Sequence, residues 1–87
     1  MNIYVGNLDF KVNEDELQTI FEKFGTLNSA KIITDKYSGK SRGFGFIEME
    51  NQDEATKAIQ ELDGATFENR KITVNEAKPK KMSYSNY

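Results

Sequence analysis

Four short segments of the chain place apolar residues at alternate positions. This spacing predicts β-strands, because successive side chains of a strand point to opposite faces of a sheet. Turn-favouring residues such as glycine, asparagine and aspartate flank these segments. The predicted strands cover residues 3–6, 29–34, 42–49 and 71–77.

Two other segments place apolar residues three and four positions apart, as on one face of an α-helix. The apolar stripe comprises Leu17, Ile20, Phe21 and Phe24 in the first segment, and Ala55, Ala58, Ile59 and Leu62 in the second. Each stripe predicts an amphipathic helix that packs against the sheet.

The ends of both predicted helices carry capping residues. Asn13 and Asn51 precede the helices, and each is followed three residues later by a glutamate, which is the spacing of a capping box. Gly25 and Gly64 follow the apolar stripes and are predicted to end the helices in a left-handed conformation.

The resulting order of elements is βαββαβ, which predicts an α+β fold of the ferredoxin-like, split βαβ type. In that arrangement, four antiparallel strands form a sheet with both helices on one face, so the opposite face meets solvent or a ligand. The predicted domain covers residues 1–79. Residues 80–87, "KKMSYSNY", have no apolar period and are predicted to be a disordered tail.

The segment "RGFGFIEM", residues 42–49, separates two phenylalanines from two glycines on opposite faces of one strand. Phe44 and Phe46 share their face with Arg42 and Glu48, whose charges are costly to bury without partners. We therefore expect the phenylalanines to face outward. The glycines are expected to lie under a helix, where they permit close approach of helix and sheet.

The first strand adds a third outward-facing aromatic residue. Ile3 and Val5 are expected to point to the helices, which leaves Tyr4 on the open face with Phe44 and Phe46. Three aromatic residues clustered on an uncovered sheet face suggest a binding surface. The alternative is that a loop or the tail folds over them and completes a second core.

Charge is distributed unevenly along the chain. The net charge is −2, but residues 36–42 and 70–81 hold eight of the twelve lysines and arginines and only one acid. Most of the acids lie in the predicted helices. This distribution predicts a basic side despite the acidic total, although ordinary solvated loops give the same pattern.

The chain contains no cysteine and no histidine. Disulfides and thiolate metal sites are therefore excluded, and no cofactor is predicted. The start of the sequence lacks the apolar run of a secretory signal, and no segment is apolar enough to span a membrane. We expect a soluble, cytoplasmic, monomeric protein that binds no membrane.

Aromatic residues beside basic ones suit single-stranded nucleic acid. Bases stack on aromatic rings, and lysine or arginine side chains contact the phosphates. Lys31, Arg42, Lys71 and Lys78 are placed to surround the aromatic residues. A single-stranded polynucleotide is thus the ligand that this pattern favours.

The same residues resemble the RNA-recognition motif, or ribonucleoprotein domain. "RGFGFIEM" is similar to the octamer of that family, with Ile47 in place of valine and Met49 in place of an aromatic residue. "IYVGNL", residues 3–8, is similar to its hexamer. The resemblance covers residues 2–79. The chain looks like the small single-domain members found in bacteria, and its core resembles plant glycine-rich RNA-binding proteins.

The resemblance implies a role for each matching residue. Tyr4 and Phe46 would stack on bases, Phe44 would lie against the sugars, and Arg42 would pair with a phosphate. Further RNA-binding positions implied by the resemblance are Asn2, Lys31, Glu48, Asn75, Ala77 and Lys78. The implied partner is single-stranded RNA, with single-stranded DNA left open, and the implied role is post-transcriptional regulation or RNA chaperoning.

Two other functions remain as alternatives. An enzyme is disfavoured, because the commonest acid-base and thiol nucleophile groups are missing and Glu48 and Glu50 are more simply explained as solvated side chains. A protein-protein interaction module on the same fold is the second alternative, and it would use the same open face.

Overall fold

Six strands and two helices follow one another along residues 1–77, the part of the chain that the computed structural model describes. The helices are α1 (Glu14–Glu22) and α2 (Gln52–Leu62). The strands are β1 (Asn2–Gly6), β2 (Leu27–Thr34), β3 (Ser41–Met49), β4 (Thr66–Phe67), β5 (Arg70–Lys71) and β6 (Thr73–Glu76). At nine and eleven residues, neither helix is long enough to cross a membrane.

Four of these strands form one antiparallel sheet in the order β2-β3-β1-β6. The predicted α+β fold, with two helices on one face of a four-stranded antiparallel sheet, is confirmed. The order puts β1 and β3 side by side in the middle of the sheet, so the side chains of these two strands occupy the centre of each face.

A single hydrophobic core lies between the sheet and the helices. The inward-facing strand residues have almost no exposed surface, and the predicted helix stripes supply the opposite wall. Its buried members from these elements include Ile3, Val5, Ile32, Ile47, Met49, Val74, Leu17, Phe21, Ala55 and Ala58. The other sheet face, which we call the open face, is covered by neither α1 nor α2.

Helix α1 begins at the predicted capping box. The side-chain Oδ1 of Asn13 accepts a hydrogen bond from the backbone N–H of Glu16 at 2.8 Å, and Oε1 of Glu16 accepts one from the N–H of Asn13 at 3.1 Å. Asn51 caps α2 through the first of these two bonds, since its Oδ1 accepts from the N–H of Glu54 at 2.9 Å, while the complete capping box is present at α1. Both predicted caps are confirmed.

Replacing Asn13 by alanine should lower the free energy of unfolding by about 1 kcal/mol, because a first-turn N–H loses its side-chain acceptor. The melting temperature should fall by about 4 to 8 °C, measured by circular dichroism. Asn13→Asp is the matched control, since it keeps an acceptor oxygen and should retain the wild-type melting temperature. Equal losses in both variants would show that the cap is not what stabilises α1.

The end of α1 differs from the prediction. The glycines with positive φ are Gly39, Gly43 and Gly64, so Gly25 does not adopt a left-handed conformation. The helix ends at Lys23 with φ −65°, and Gly25 instead lies where a Cβ would be 2.8 Å from Cβ of Glu54. Gly25 therefore makes room for α2, whereas Gly64, at φ +83°, has the conformation predicted for it.

The last predicted strand, residues 71–77, is wrong in its first part. Lys71 belongs to β5, where it pairs with Thr66 of β4 in a separate two-stranded hairpin, and the sheet strand β6 begins at Thr73. The turn of the hairpin consists of Glu68 and Asn69, which have positive φ of 52° and 70°. Two consecutive positive φ values are typical of a type I′ turn.

The two glycines of β3 are buried as predicted, but a close approach to a helix is not the reason. A Cβ on Gly45 would lie 3.1 Å from Cα of Ile32, in the neighbouring strand β2. Gly43 has φ +85°, and a Cβ there would lie 3.3 Å from Cε1 of Phe10, in the loop after β1. Both glycines therefore relieve contacts within the sheet and with its adjoining loop.

Candidate nucleic-acid interface

Three aromatic rings lie together at the centre of the open face. Tyr4 is 6.0 Å from Phe44 and 5.9 Å from Phe46, and the two phenylalanine rings are 6.2 Å apart between centroids. Tyr4 and Phe44 are partly exposed, and Phe46 is 36% exposed. We call Tyr4, Phe44 and Phe46 the aromatic platform. The described residues leave it open to solvent, which confirms the predicted assignment of faces.

The platform is part of a row of side chains across all four strands of the sheet. Tyr4 pairs with Phe46 on one side and with Asn75 on the other, and Phe46 pairs with Lys31. Directly paired residues of antiparallel strands share a face. Asn75 and Lys31 are both exposed, so the row places an amide and an ammonium group at opposite edges of the platform.

A second row lies beside the first, toward the end of β3. Glu48 pairs with Asn2 and with Ser29, and the backbone N–H of Ala77 donates to the carbonyl of Asn2 at 2.8 Å. Asn2 and Glu48 are exposed. The structure thus brings these predicted positions next to the platform, while Lys78 lies outside the described residues.

Arg42 lies near the start of β3, where the pairing with β2 is irregular. Ile32 pairs with Gly45 and Thr34 with Ser41, so three residues of β3 oppose one of β2. Such a bulge redirects side chains at the edge of a site. The exposed Arg42 borders the same groove as Tyr4 and Phe44, which places a positive charge beside the platform.

Gly6 makes room for the tyrosine ring of the platform. The sequence analysis did not identify this role of Gly6. A Cβ on Gly6 would lie 2.8 Å from Cε2 and Cζ of Tyr4, so the tyrosine ring lies over this glycine. The lack of a side chain at Gly6 lets the ring lie along β1. The position of Gly6 within "IYVGNL" was the signal that could have indicated this role. A glycine at that position is explained equally well as the end of a strand.

Asn7 and Arg70 form a second feature that sequence analysis missed. Nη2 of Arg70 donates to Oδ1 of Asn7 at 2.7 Å, and Nδ2 of Asn7 donates to the carbonyl of Lys71 at 2.6 Å. Asn7 has φ 58°, a left-handed conformation that asparagine tolerates better than most residues. The β4-β5 hairpin therefore presents Arg70 to the end of β1, beside the platform.

The fold and the open face define the class of this protein: an α+β sandwich whose exposed sheet face carries clustered aromatic residues with basic residues at its edges. Residues 3–73 match the family model described as the RNA recognition motif. The chain belongs to the RNA recognition motif family, which confirms the resemblance carried by "IYVGNL" and "RGFGFIEM".

Similar proteins cover almost the whole chain. RbpA of Nostoc sp. (strain PCC 7120) is 45% identical over 80 residues, which are 92% of this chain and 78% of that protein. A crystal structure of the RNA binding protein PG1 has 48% identity and a TM-score of 0.87, covering 91% of this chain and 98% of PG1. A complex of the Sxl-lethal protein with RNA has 35% identity and a TM-score of 0.83, covering 87% of this chain and 47% of that one.

Proposed function

We propose that this protein binds single-stranded RNA on its open face. The observation that carries the proposal is the aromatic platform: three rings, each at least partly exposed, at the centre of the sheet face that neither α1 nor α2 covers. Exposed aromatic rings on a sheet are the surface on which unpaired bases stack. The similarity to PG1 and to the Sxl-lethal protein, named for binding RNA and solved with RNA respectively, supports this choice of ligand.

The orientation of the rings suggests how bases would be received. Phe44 and Phe46 are perpendicular, with an interplanar angle of 90°, and Tyr4 is inclined to Phe46 by 63°. One flat base cannot stack on two perpendicular rings. We therefore assign separate bases to Tyr4 and Phe46, and the role implied by the family resemblance assigns Phe44 to the sugars.

The charged residues around the platform suit a short stretch of RNA backbone. Lys31 and Arg42 are exposed at its sides and would contact phosphates, whereas Glu48 lies in the neighbouring row and repels them. Asn2 and Asn75 offer amide groups for base edges, and Ala77 adds a backbone carbonyl. Stacking is therefore the larger contribution, and base preference comes from the polar groups at the edges.

The role in the cell that we propose is post-transcriptional regulation or RNA chaperoning. RNA recognition motifs are binding domains and are not typically enzymes, and the proposed mechanism requires neither catalysis nor a cofactor. Single-stranded DNA stays open as a second ligand, because none of the proposed contacts involves a 2′-hydroxyl. The monomeric state and the cytoplasmic location stay predictions.

The test is fluorescence anisotropy with labelled random single-stranded RNA and a duplex of equal length. The wild type should bind the single strand more tightly, since a duplex hides its base faces. With roughly two or three phosphate contacts, log K should fall with log salt at a slope of about −1.4 to −2.1.

Two results would contradict the proposal. A slope steeper than about −5 would mean that the basic segments, rather than the platform, provide the affinity. No binding at tens of micromolar by folded protein would favour the alternative, a protein partner on the same open face.

Gly6→Ala should weaken RNA binding by part of the roughly 1–3 kcal/mol that stacking on one ring contributes. The added methyl group would displace the Tyr4 ring, while the far end of that side chain can move without disturbing the core. The measurement is anisotropy on Gly6→Ala, Tyr4→Ala and the double variant. If Gly6 acts through Tyr4, the double variant binds like Tyr4→Ala. Additive losses would contradict this explanation.

A further inference from the structure

A groove of about 300 Å³ extends the open face beyond the aromatic platform. Tyr4 and Phe44 form its inner side, and Phe10, Arg42 and Arg70 line the rest. The groove thus lies between the loop after β1, the start of β3 and the β4-β5 hairpin. The groove is continuous with the platform, because two of the three platform residues also line the groove.

Phe10 supplies an aromatic ring to this groove that the core does not use. The residue is 70% exposed. Its Cε1 lies 3.3 Å from the place of a Cβ on Gly43, so the glycine lets the ring approach β3 next to Phe44. An exposed ring that lies beside a row of stacking residues is suited to one more base.

Arg70 and Arg42 supply the positive charge. Arg70 is oriented by Asn7, whose own side chain is fixed by the carbonyl of Lys71. This chain of hydrogen bonds holds an exposed guanidinium at the rim of the groove. Guanidinium groups bind phosphate oxygens with two parallel hydrogen bonds, so the pair of arginines favours a phosphodiester over a neutral or cationic ligand.

Phe10 also borders a second groove, of about 510 Å³. The charged residues of this second groove do not favour a phosphate. That groove runs along the start of α1, and its charged lining residues are two acids, Glu14 and Asp15, and one base, Lys11. The acids outnumber the base there, whereas Arg42 and Arg70 are the charged residues of the first groove, so a polynucleotide that passes Phe10 is directed toward the two arginines. The charges therefore distinguish the two sides of the Phe10 ring.

We propose that the groove between Phe10 and Arg70 is an additional nucleotide subsite for the same single-stranded RNA. A base stacks on Phe10, and its phosphate lies between Arg42 and Arg70. This inference rests on the proposed function, since the nucleotide is the continuation of a strand that already occupies the platform. The subsite makes affinity depend on RNA length beyond the bases that the platform holds.

The test compares a short RNA of roughly three nucleotides, which the platform accommodates, with one of roughly six. Anisotropy is measured for the wild type, Phe10→Ala and Arg70→Gln. The matched controls are Tyr37→Ala, which removes a ring that is 90% exposed in the β2-β3 turn, and Lys57→Gln, which removes a positive charge from α2.

We expect Phe10→Ala to bind the longer RNA about 5- to 100-fold more weakly at an unchanged salt slope. Arg70→Gln should make the slope shallower by about 0.7, the contribution of one phosphate contact. Both variants should bind the short RNA like the wild type, and both controls should behave like the wild type throughout.

Equal binding of the longer RNA by wild type and both variants would overturn the subsite and leave the proposed function intact. Equal weakening for the short RNA would also overturn it, because Phe10 or Arg70 would then act through the platform. A wild type that binds neither RNA would contradict the proposed function itself, and the subsite with it.

Discussion

Phe44→Ala/Phe46→Ala should weaken binding of single-stranded RNA by more than about 2 kcal/mol, or roughly 30-fold. Alanine substitution at a stacking position costs about 1 to 3 kcal/mol per base, which applies to Phe46, and loss of the Phe44 ring removes the contact with the sugars as well. Both rings lie on the face opposite the core, with Phe46 36% exposed. The loss should therefore be a loss of contacts with RNA and not of folding.

The double variant needs two controls. Tyr37→Ala removes a ring that is 90% exposed outside the platform, and it should bind RNA of roughly three nucleotides like the wild type. Thermal unfolding of the double variant should stay cooperative. Loss of cooperative unfolding would contradict the assignment of faces, because rings on the open face do not support the core.

Phe21→Ala should lower the free energy of unfolding by about 3 to 5 kcal/mol. Phe21 projects from α1 into the core, has no exposed surface and is among the largest fully buried side chains. Its loss leaves a cavity that the other core residues fill only in part. The total free energy of unfolding of a small domain is about 5 to 15 kcal/mol, so this loss is a large part of it. At about 4 °C or more per kcal/mol, the melting temperature should fall by at least about 12 °C.

Phe46→Ala is the matched control, since it deletes an identical side chain from the other side of the sheet. Its free energy of unfolding should stay within about 1 kcal/mol of the wild-type value, because the ring lies outside the core, against the other platform rings and solvent. Circular dichroism melts of the two variants provide the comparison. Similar destabilisation in both would mean that the two faces do not differ as described.

The main elements of the fold could be predicted because they follow from local rules. The periods of the apolar residues identified both helices and the central strands, and Asn13 and Asn51 marked the helix starts. The β4-β5 hairpin escaped prediction because Glu68 and Asn69 form its turn without the glycine that usually signals one. Gly25 was misjudged because its neighbour is Glu54, which is distant in sequence.

The candidate site was predictable to the extent that it lies on alternating strand positions. Alternation grouped the residues of each strand by face, and the cost of burying Arg42 and Glu48 indicated that Phe44 and Phe46 face outward. The pairing of β1 with β3 then brought Tyr4 next to them. The contact of Arg70 with Asn7 joins residues 63 positions apart and depends on the hairpin that was missed. No local pattern in the sequence reports such a contact, and for the same reason the groove beside Phe10 emerged only from the structure.

The central claim is that the open face, and the platform within it, binds RNA. The most direct measurement is a nuclear magnetic resonance titration with a short single-stranded RNA, following the ring signals of Tyr4, Phe44 and Phe46 and the backbone amides of all elements. We expect the largest shifts at these rings and along β1 and β3, with α1 and α2 nearly unchanged. Shifts concentrated on the helices, with unchanged platform rings, would contradict the claim.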